Sequence, residues 1–85
     1  MKASVRKKYV RLLKNIDEET QNYTVLKHLL DKGSITSMEA FSEYGITRLS
    51  AKVFDLRGLG VDINTRMVTK KKNGKTVSYG VYEVA

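Results

Sequence analysis

The sequence predicts an α+β fold, a small helical core followed by a C-terminal β-hairpin. Three observations carry this. Apolar residues recur at helical spacing through residues 4–58, the period drops from 3.6 to 2 beyond Gly60, and Asn73-Gly74 sits in the middle of the alternating region. An Asn-Gly pair between two β-rich runs is a strong hairpin signal, because a type I′ turn needs positive φ at both central residues.

The first helix is expected over residues 4–15, "SVRKKYVRLLKN", where Val5, Tyr9, Leu12 and Leu13 fall at i, i+4, i+7 and i+8. Ser4 reads as its N-cap. Arg6, Lys7, Lys8, Arg11 and Lys14 cover the remaining surface, which makes a basic amphipathic helix. Such a helix contacts phosphates, lies on an acidic lipid surface, or packs on the domain with its lysines solvated. The ordinary soluble character of the rest of the chain speaks against lipid. "NIDEE" at 15–19 reads as a break.

A second helix is expected over 20–32, with Thr20 capping its start, Val25, Leu26, Leu29 and Leu30 facing inward, and Gly33 at its left-handed end. "SI" at 34–35 is a short extended rung. "TSME" at 36–39 spells a capping box, in which the Thr36 hydroxyl accepts from the Glu39 N–H and the Glu39 carboxylate reaches back. The helix it opens runs to Tyr44, with Met38, Phe41 and Tyr44 expected inside, and Gly45 ends it. Thr47 is expected to cap a further helix over 48–58, with Leu49, Val53 and Leu56 as its core face. Counting outward from Asn73-Gly74 pairs Val68 with Tyr79, Arg66 with Val81, Thr65 with Tyr82 and Ile63 with Val84, and gathers Lys70, Lys71, Lys72 and Lys75 at the tip.

With 85 residues, no proline and no repeat, one compact domain is the economical reading, divided as the basic helix of 1–16 and the domain proper of 17–85. The absence of cysteine excludes disulfides and thiolate metal sites. No apolar run is long enough to span a membrane, and the basic N-terminus lacks the apolar stretch of a secretory leader, so the expected location is the cytoplasm. Net charge is +7, and it is segregated: +6 over residues 1–16, −4 over 17–47, +2 over 48–60 and +3 over 61–85. Positive charge concentrated on particular elements favours a surface for a polyanion.

The two helices joined by "GIT" make a helix-turn-helix, with the glycine permitting the turn and Ile46 packing between them. In this unit the second helix is offered to the DNA major groove. Projected at about 100° per residue, Arg48, Ala51 and Asp55 lie opposite the core face and are flanked by Ser50 and Lys52. Arg48 and Lys52 can donate to guanine or phosphate, Ser50 can take either role, and Ala51 allows close approach. Asp55 can equally pair with Arg57 or Lys52. Phe54, off the apolar stripe, is expected to cover the hairpin base or the first helix. A "KKKNGK" wing tip beside such a unit can neutralise phosphates and release their counterions.

Residues 20–84 resemble the small winged helix-turn-helix domains of bacteriophage and prophage proteins. The resemblance is carried by "TVLKHLL", "GSITSMEAF", "YGITRLSAKVFDLRGLG" and "KKNGKTVSYGVYEV". It implies a three-helix core with a C-terminal hairpin wing, preceded here by an extra basic helix. It also implies that Arg48, Ser50 and Lys52 lie on the recognition helix and Lys70 to Lys75 on the wing. Arg66, further down the same hairpin, is expected to contact phosphate with the wing lysines. These motifs speak to fold more than to biological role.

The expected function is therefore a phage-type DNA-binding protein, a transcriptional regulator or an excisionase-like factor acting in a bacterial host. Its partner is double-stranded DNA, and selectivity calls for a homodimer on a two-fold site or a second protein. The alternative is a phage-encoded interaction protein that blocks a host enzyme or defence complex through the same scaffold. Nothing suggests an enzyme, a cofactor or a metal. His28 is the sole histidine and sits at the edge of an apolar helix, where a structural role is expected, and Gly58 and Gly60 end a helix rather than open a phosphate loop.

Overall fold

A computed structural model describes residues 2–84; the outermost residues of the two spans expected above, 1 and 85, lie outside it. The chain runs α1 (Ala3–Lys14), α2 (Gln21–Lys32), β1 (Ser34–Thr36), α3 (Ser37–Tyr44), α4 (Leu49–Gly58), β2 (Ile63–Lys72) and β3 (Lys75–Val84). The sheet is antiparallel in the order β1-β3-β2, so the short rung before α3 pairs with the returning strand of the hairpin. That pairing puts Ile35 opposite Tyr82, and the Val84 N–H donates to the Gly33 carbonyl at 3.2 Å, closing the sheet onto the end of α2.

All four hairpin pairs expected from the sequence are present, in one unbroken register from Ile63↔Val84 to Lys72↔Lys75. Asn73 has φ 53° and Gly74 φ 76°, as a type I′ turn requires. Strand twist and turn geometry agree, so ten-residue strands stay paired well beyond the core and the molecule is 46 Å long against 27 and 20 Å.

A continuous apolar cluster joins Tyr9 of α1, Val25, Leu26, Leu29 and Leu30 of α2, Ile35, Ala40, Ile46, then Leu49, Val53 and Leu56 of α4, and Val61 and Ile63 at the start of the hairpin. α1 is thus built into the core in cis: Tyr9 is buried, and its hydroxyl accepts from the Asp62 N–H at 2.9 Å, which ties the first helix to the entry of β2.

Several local expectations hold. Thr20 caps α2 by accepting from the Tyr23 N–H, Gly33 ends it in the left-handed conformation, and both halves of the Thr36/Glu39 capping box form at 3.1 and 3.0 Å. Others are corrected. Ser4 is not an N-cap: α1 already begins at Ala3, with Lys2 at the cap position and no side-chain bond. Ala3 and Ser4 are helical because alanine continues a helix at no cost, which moves the start upstream.

Met38 and Phe41 are not core residues; they are 75 % and 60 % exposed, and Tyr44 is also exposed. The residue of α3 that enters the core is Ala40. The turn decides this. Gly45 adopts φ 68°, and the Ile46 N–H donates back to the Ala40 carbonyl at 3.0 Å, folding the buried Ile46 beneath the helix. The core side is then fixed at Ala40, whose small side chain lets α3 approach closely. The Met38-Phe41-Tyr44 stripe lies about 100° further round the helix. The same turn delays α4 by a residue. Thr47 is exposed and caps nothing, and the N-cap is Arg48 (φ −122°, ψ 59°), without a side-chain cap bond.

Candidate nucleic-acid interface

Because α4 starts at Leu49, Arg48 stands at its very tip, exposed, where the N-terminal residues of a recognition helix come nearest the bases. Leu49, Val53 and Leu56 are buried and fix the rotation of the helix. Ser50, Phe54 and Asp55 are exposed on the other side, whereas Ala51 and Lys52 are half-buried. Asp55 pairs with neither Arg57 nor Lys52; its carboxylate accepts from the Asn22 side-chain amide at 3.4 Å, a contact to α2. Phe54 covers neither the hairpin base nor α1. It is 76 % exposed, because the Leu49-Val53-Leu56 face leaves it pointing away from both.

Arg57, at the other end of α4, sets the hairpin's attachment. Its Nε and Nη2 donate to the Ile63 carbonyl at 3.1 and 2.8 Å, and Nη2 also reaches the Thr65 hydroxyl at 3.2 Å. A planar guanidinium with one carbonyl in its fork holds α4 and β2 at a defined angle. Sequence reasoning missed this role. The signal available was an arginine in the last turn of a helix a few residues before a strand, which by itself does not name its acceptor.

The cations of the chain separate into two groups. Arg6 donates to the Leu30 carbonyl near the end of α2, Arg57 clamps β2, and Arg66 pairs with Glu83 across the hairpin. These three hold structure. Arg66–Glu83 is the one ion pair between a Lys or Arg and a carboxylate among the described residues, so Lys70, Lys71, Lys72 and Lys75 at the wing tip have none. Lys70 lies 6.0 Å from the centre of the Tyr79 ring, two residue pairs closer to the base, which leans its stem along the strand. On α1, Lys7, Lys8, Arg11 and Lys14 are exposed, and the first three line a shallow groove with Leu12 and Leu59, so the basic face of α1 borders the end of α4. A second groove runs between the wing and the start of α3, lined by Met38, Glu39, Lys70, Lys72, Val77 and Tyr79.

Away from these surfaces, His28 of α2 is buried, with its Nδ1 2.7 Å from the Tyr44 hydroxyl. Partial burial, with Glu43, Asp31 and Glu39 nearby, pushes the Tyr44 phenol above its ordinary pKa.

A helix-turn-helix followed by a hairpin clamped to its second helix, with β1 completing the sheet, is the architecture of a winged helix-turn-helix. The chain belongs to the winged helix-turn-helix domain family, whose model matches residues 20–85. α1 lies before the matched span. No curated protein and no solved structure matches the chain significantly. Membership supports a DNA-binding role, and domains of this kind are typically non-enzymatic. No described helix is long and apolar enough to cross a membrane.

Proposed function

We propose that this chain is a DNA-binding protein of phage type, a transcriptional regulator or excisionase-like factor, working in the cytoplasm of a bacterial host. Helix α4 enters the major groove and the hairpin wing lies on the backbone of double-stranded DNA. The observation that carries this reading is the Arg57 clamp, which fixes an exposed helix face to a wing whose four tip lysines have no carboxylate partner. Arg48 reads a base edge and Ser50 assists it. Ala51 lets the backbone approach, Lys52 takes a phosphate beside the groove, and Phe54 offers an apolar contact to a thymine methyl. Asp55 serves mainly to hold Asn22. Lys70, Lys71, Lys72 and Lys75 neutralise phosphates, and the Lys7, Lys8, Arg11 and Lys14 face of α1 provides a further phosphate-binding arm. Arg6 and Arg66, already occupied, contribute little. One such domain buries a small interface, so two copies on a two-fold site, or a second protein, supply the selectivity.

Fluorescence anisotropy with a random duplex and a duplex enriched by selection, each across a salt series, tests this. The expected result is tighter binding to the enriched duplex and a steep salt dependence for both. Uniformly weak, sequence-blind binding would instead favour a phage-encoded inhibitor of a host enzyme or defence complex. The exposed Met38 and Phe41, which lie on α3 rather than on α4, are the observation in favour of that second reading.

A further inference from the structure

We propose that His28, Glu39 and Glu43 form a binding site for a divalent transition-metal cation of the Zn2+ class, which pins α2 to α3. Among the described residues His28 is the one buried polar or charged residue, its side chain 3 % exposed on the same helix as Val25, Leu26, Leu29 and Leu30. Its Nδ1 is satisfied by the Tyr44 hydroxyl, but its Nε2 is buried without a hydrogen-bond partner. An imidazole nitrogen left so keeps the full cost of its lost hydration. The carboxylates that face the ring do not remove this cost by hydrogen bonding. Glu39 Oε2 is 3.9 Å from Nε2 and Glu43 Oε2 is 3.7 Å from Nδ1, both beyond a hydrogen bond.

The Nε2–Glu39 distance is close to that of two donors on one cation, and Glu43 stands beside the same ring. Two donors on one ion with bonds of about 2.0–2.2 Å lie roughly 3.0–3.6 Å apart, and one donor atom from each of His28, Glu39 and Glu43 falls within 4.8 Å of the others. A few tenths of an ångström brings the Glu39 carboxylate to that spacing from Nε2, while Glu43, half exposed and facing Nδ1 at 3.7 Å, swings by about an ångström to join it. The fold prepares each donor separately. Glu39 and Glu43 stand at i and i+4, one above the other on α3. Glu39 spends Oε1 on the Thr36 N–H of the capping box, which orients the carboxylate and leaves Oε2 for another partner. Tyr44, the last residue of α3, holds the ring through Nδ1; in the tautomer whose Nδ1–H donates to the Tyr44 oxygen, the lone pair on Nε2 is presented, the arrangement that metal-ligating histidines share. One imidazole with two carboxylates selects borderline dications rather than Ca2+ or Mg2+, and open positions remain for water. The segment 17–47, net −4, is also the one stretch of this basic chain that favours a cation. The site holds the first helix of the helix-turn-helix against the core and takes no part in the DNA-facing surfaces.

The experiment is titration of the full chain with Co2+, read by its visible d–d absorption, together with thermal unfolding in Zn2+ and in EDTA. With a single histidine and no cysteine, any imidazole-bound Co2+ spectrum reports on His28. One saturable equivalent per chain is expected, with affinity at least tenfold weaker in Glu43→Gln and in Glu39→Gln. The latter keeps the capping box, because glutamine serves that position too. Zn2+ is expected to raise the unfolding temperature of the parent and not of the Glu39→Gln/Glu43→Gln double variant, while the two unfold alike in EDTA. Absence of a saturable band, or a band unchanged in the double variant, overturns the proposal.

Discussion

In the middle of α4 a phenylalanine is 76 % exposed to solvent, on the side turned away from Leu49, Val53 and Leu56. A large apolar side chain in that position has no share in the core, and on the proposed reading it faces what the helix meets. In a major groove the apolar feature is the 5-methyl of thymine. Burying one methyl is worth about 0.8 kcal/mol, close to fourfold in affinity. Replacing thymines by deoxyuridine, one at a time, across a selected duplex is therefore expected to expose a position where the parent loses about fourfold and Phe54→Ala loses nothing further. Equal losses for both proteins at every position would show that Phe54 does not touch a methyl. The sequence alone pointed elsewhere, because an aromatic residue off the main stripe reads as a lid for a neighbouring element. Only the rotation imposed by three buried residues reveals that it stands largely in solvent.

The elements differ in how far their own residues determine them. The hairpin was legible to the residue pair, since Asn73-Gly74 fixes the turn and the turn fixes every pairing that follows. Helix α3 was legible in its ends, through the Thr36/Glu39 box and Gly45, but not in its buried face. Across two turns an apolar stripe competes with tethering at both termini, and here the tethers, β1 pairing on one side and Ile46 on the other, win. Among the candidate site residues, the wing lysines were legible because a tip cannot be buried. Arg6, Arg57 and Arg66 were not, since their acceptors are a distant carbonyl, a strand carbonyl and a cross-strand carboxylate. This division gives the element-scale prediction. Changing Lys70, Lys71 and Lys72 together to alanine is expected to weaken binding to all duplexes alike, and to flatten the plot of log affinity against log salt by about 0.9 for each phosphate no longer neutralised. Arg48→Ala, at the tip of the other element, is expected to leave most of that slope in place and relax preference at one base pair by roughly 1–3 kcal/mol. Anisotropy on a panel of single-base variants separates the two. If the triple variant changed preference and Arg48→Ala changed only the slope, the assignments of wing and helix would be reversed.

For the molecule as a whole, the question is whether residues 1–16 are an appendage to the family domain or part of its folding unit. The matched span begins at residue 20, yet Tyr9 is 3 % exposed in the same apolar cluster as Leu26 and Ile63, and its hydroxyl satisfies the Asp62 N–H at the mouth of the hairpin. Truncating a buried aromatic side chain costs about 3–5 kcal/mol, and a domain of this size has only about 4–13 kcal/mol of stability to lose. Tyr9→Ala is therefore expected to shift the entire urea transition, with circular dichroism and fluorescence moving together. An appendage would instead let α1 melt alone and leave the main midpoint where it was. The cationic face of the same helix is separable from this role. Changing the exposed Lys7, Lys8, Arg11 and Lys14 to alanine removes no buried packing, so the urea midpoint is expected to stay close to the parent's, given that exposed substitutions usually cost no more than about 0.5 kcal/mol each. DNA affinity and its salt dependence are expected to fall in that variant, as they should if α1 extends the phosphate-binding surface past the end of α4. Unchanged binding would leave α1 with the single task of completing the core, and would confine the DNA-facing surface to α4 and the wing.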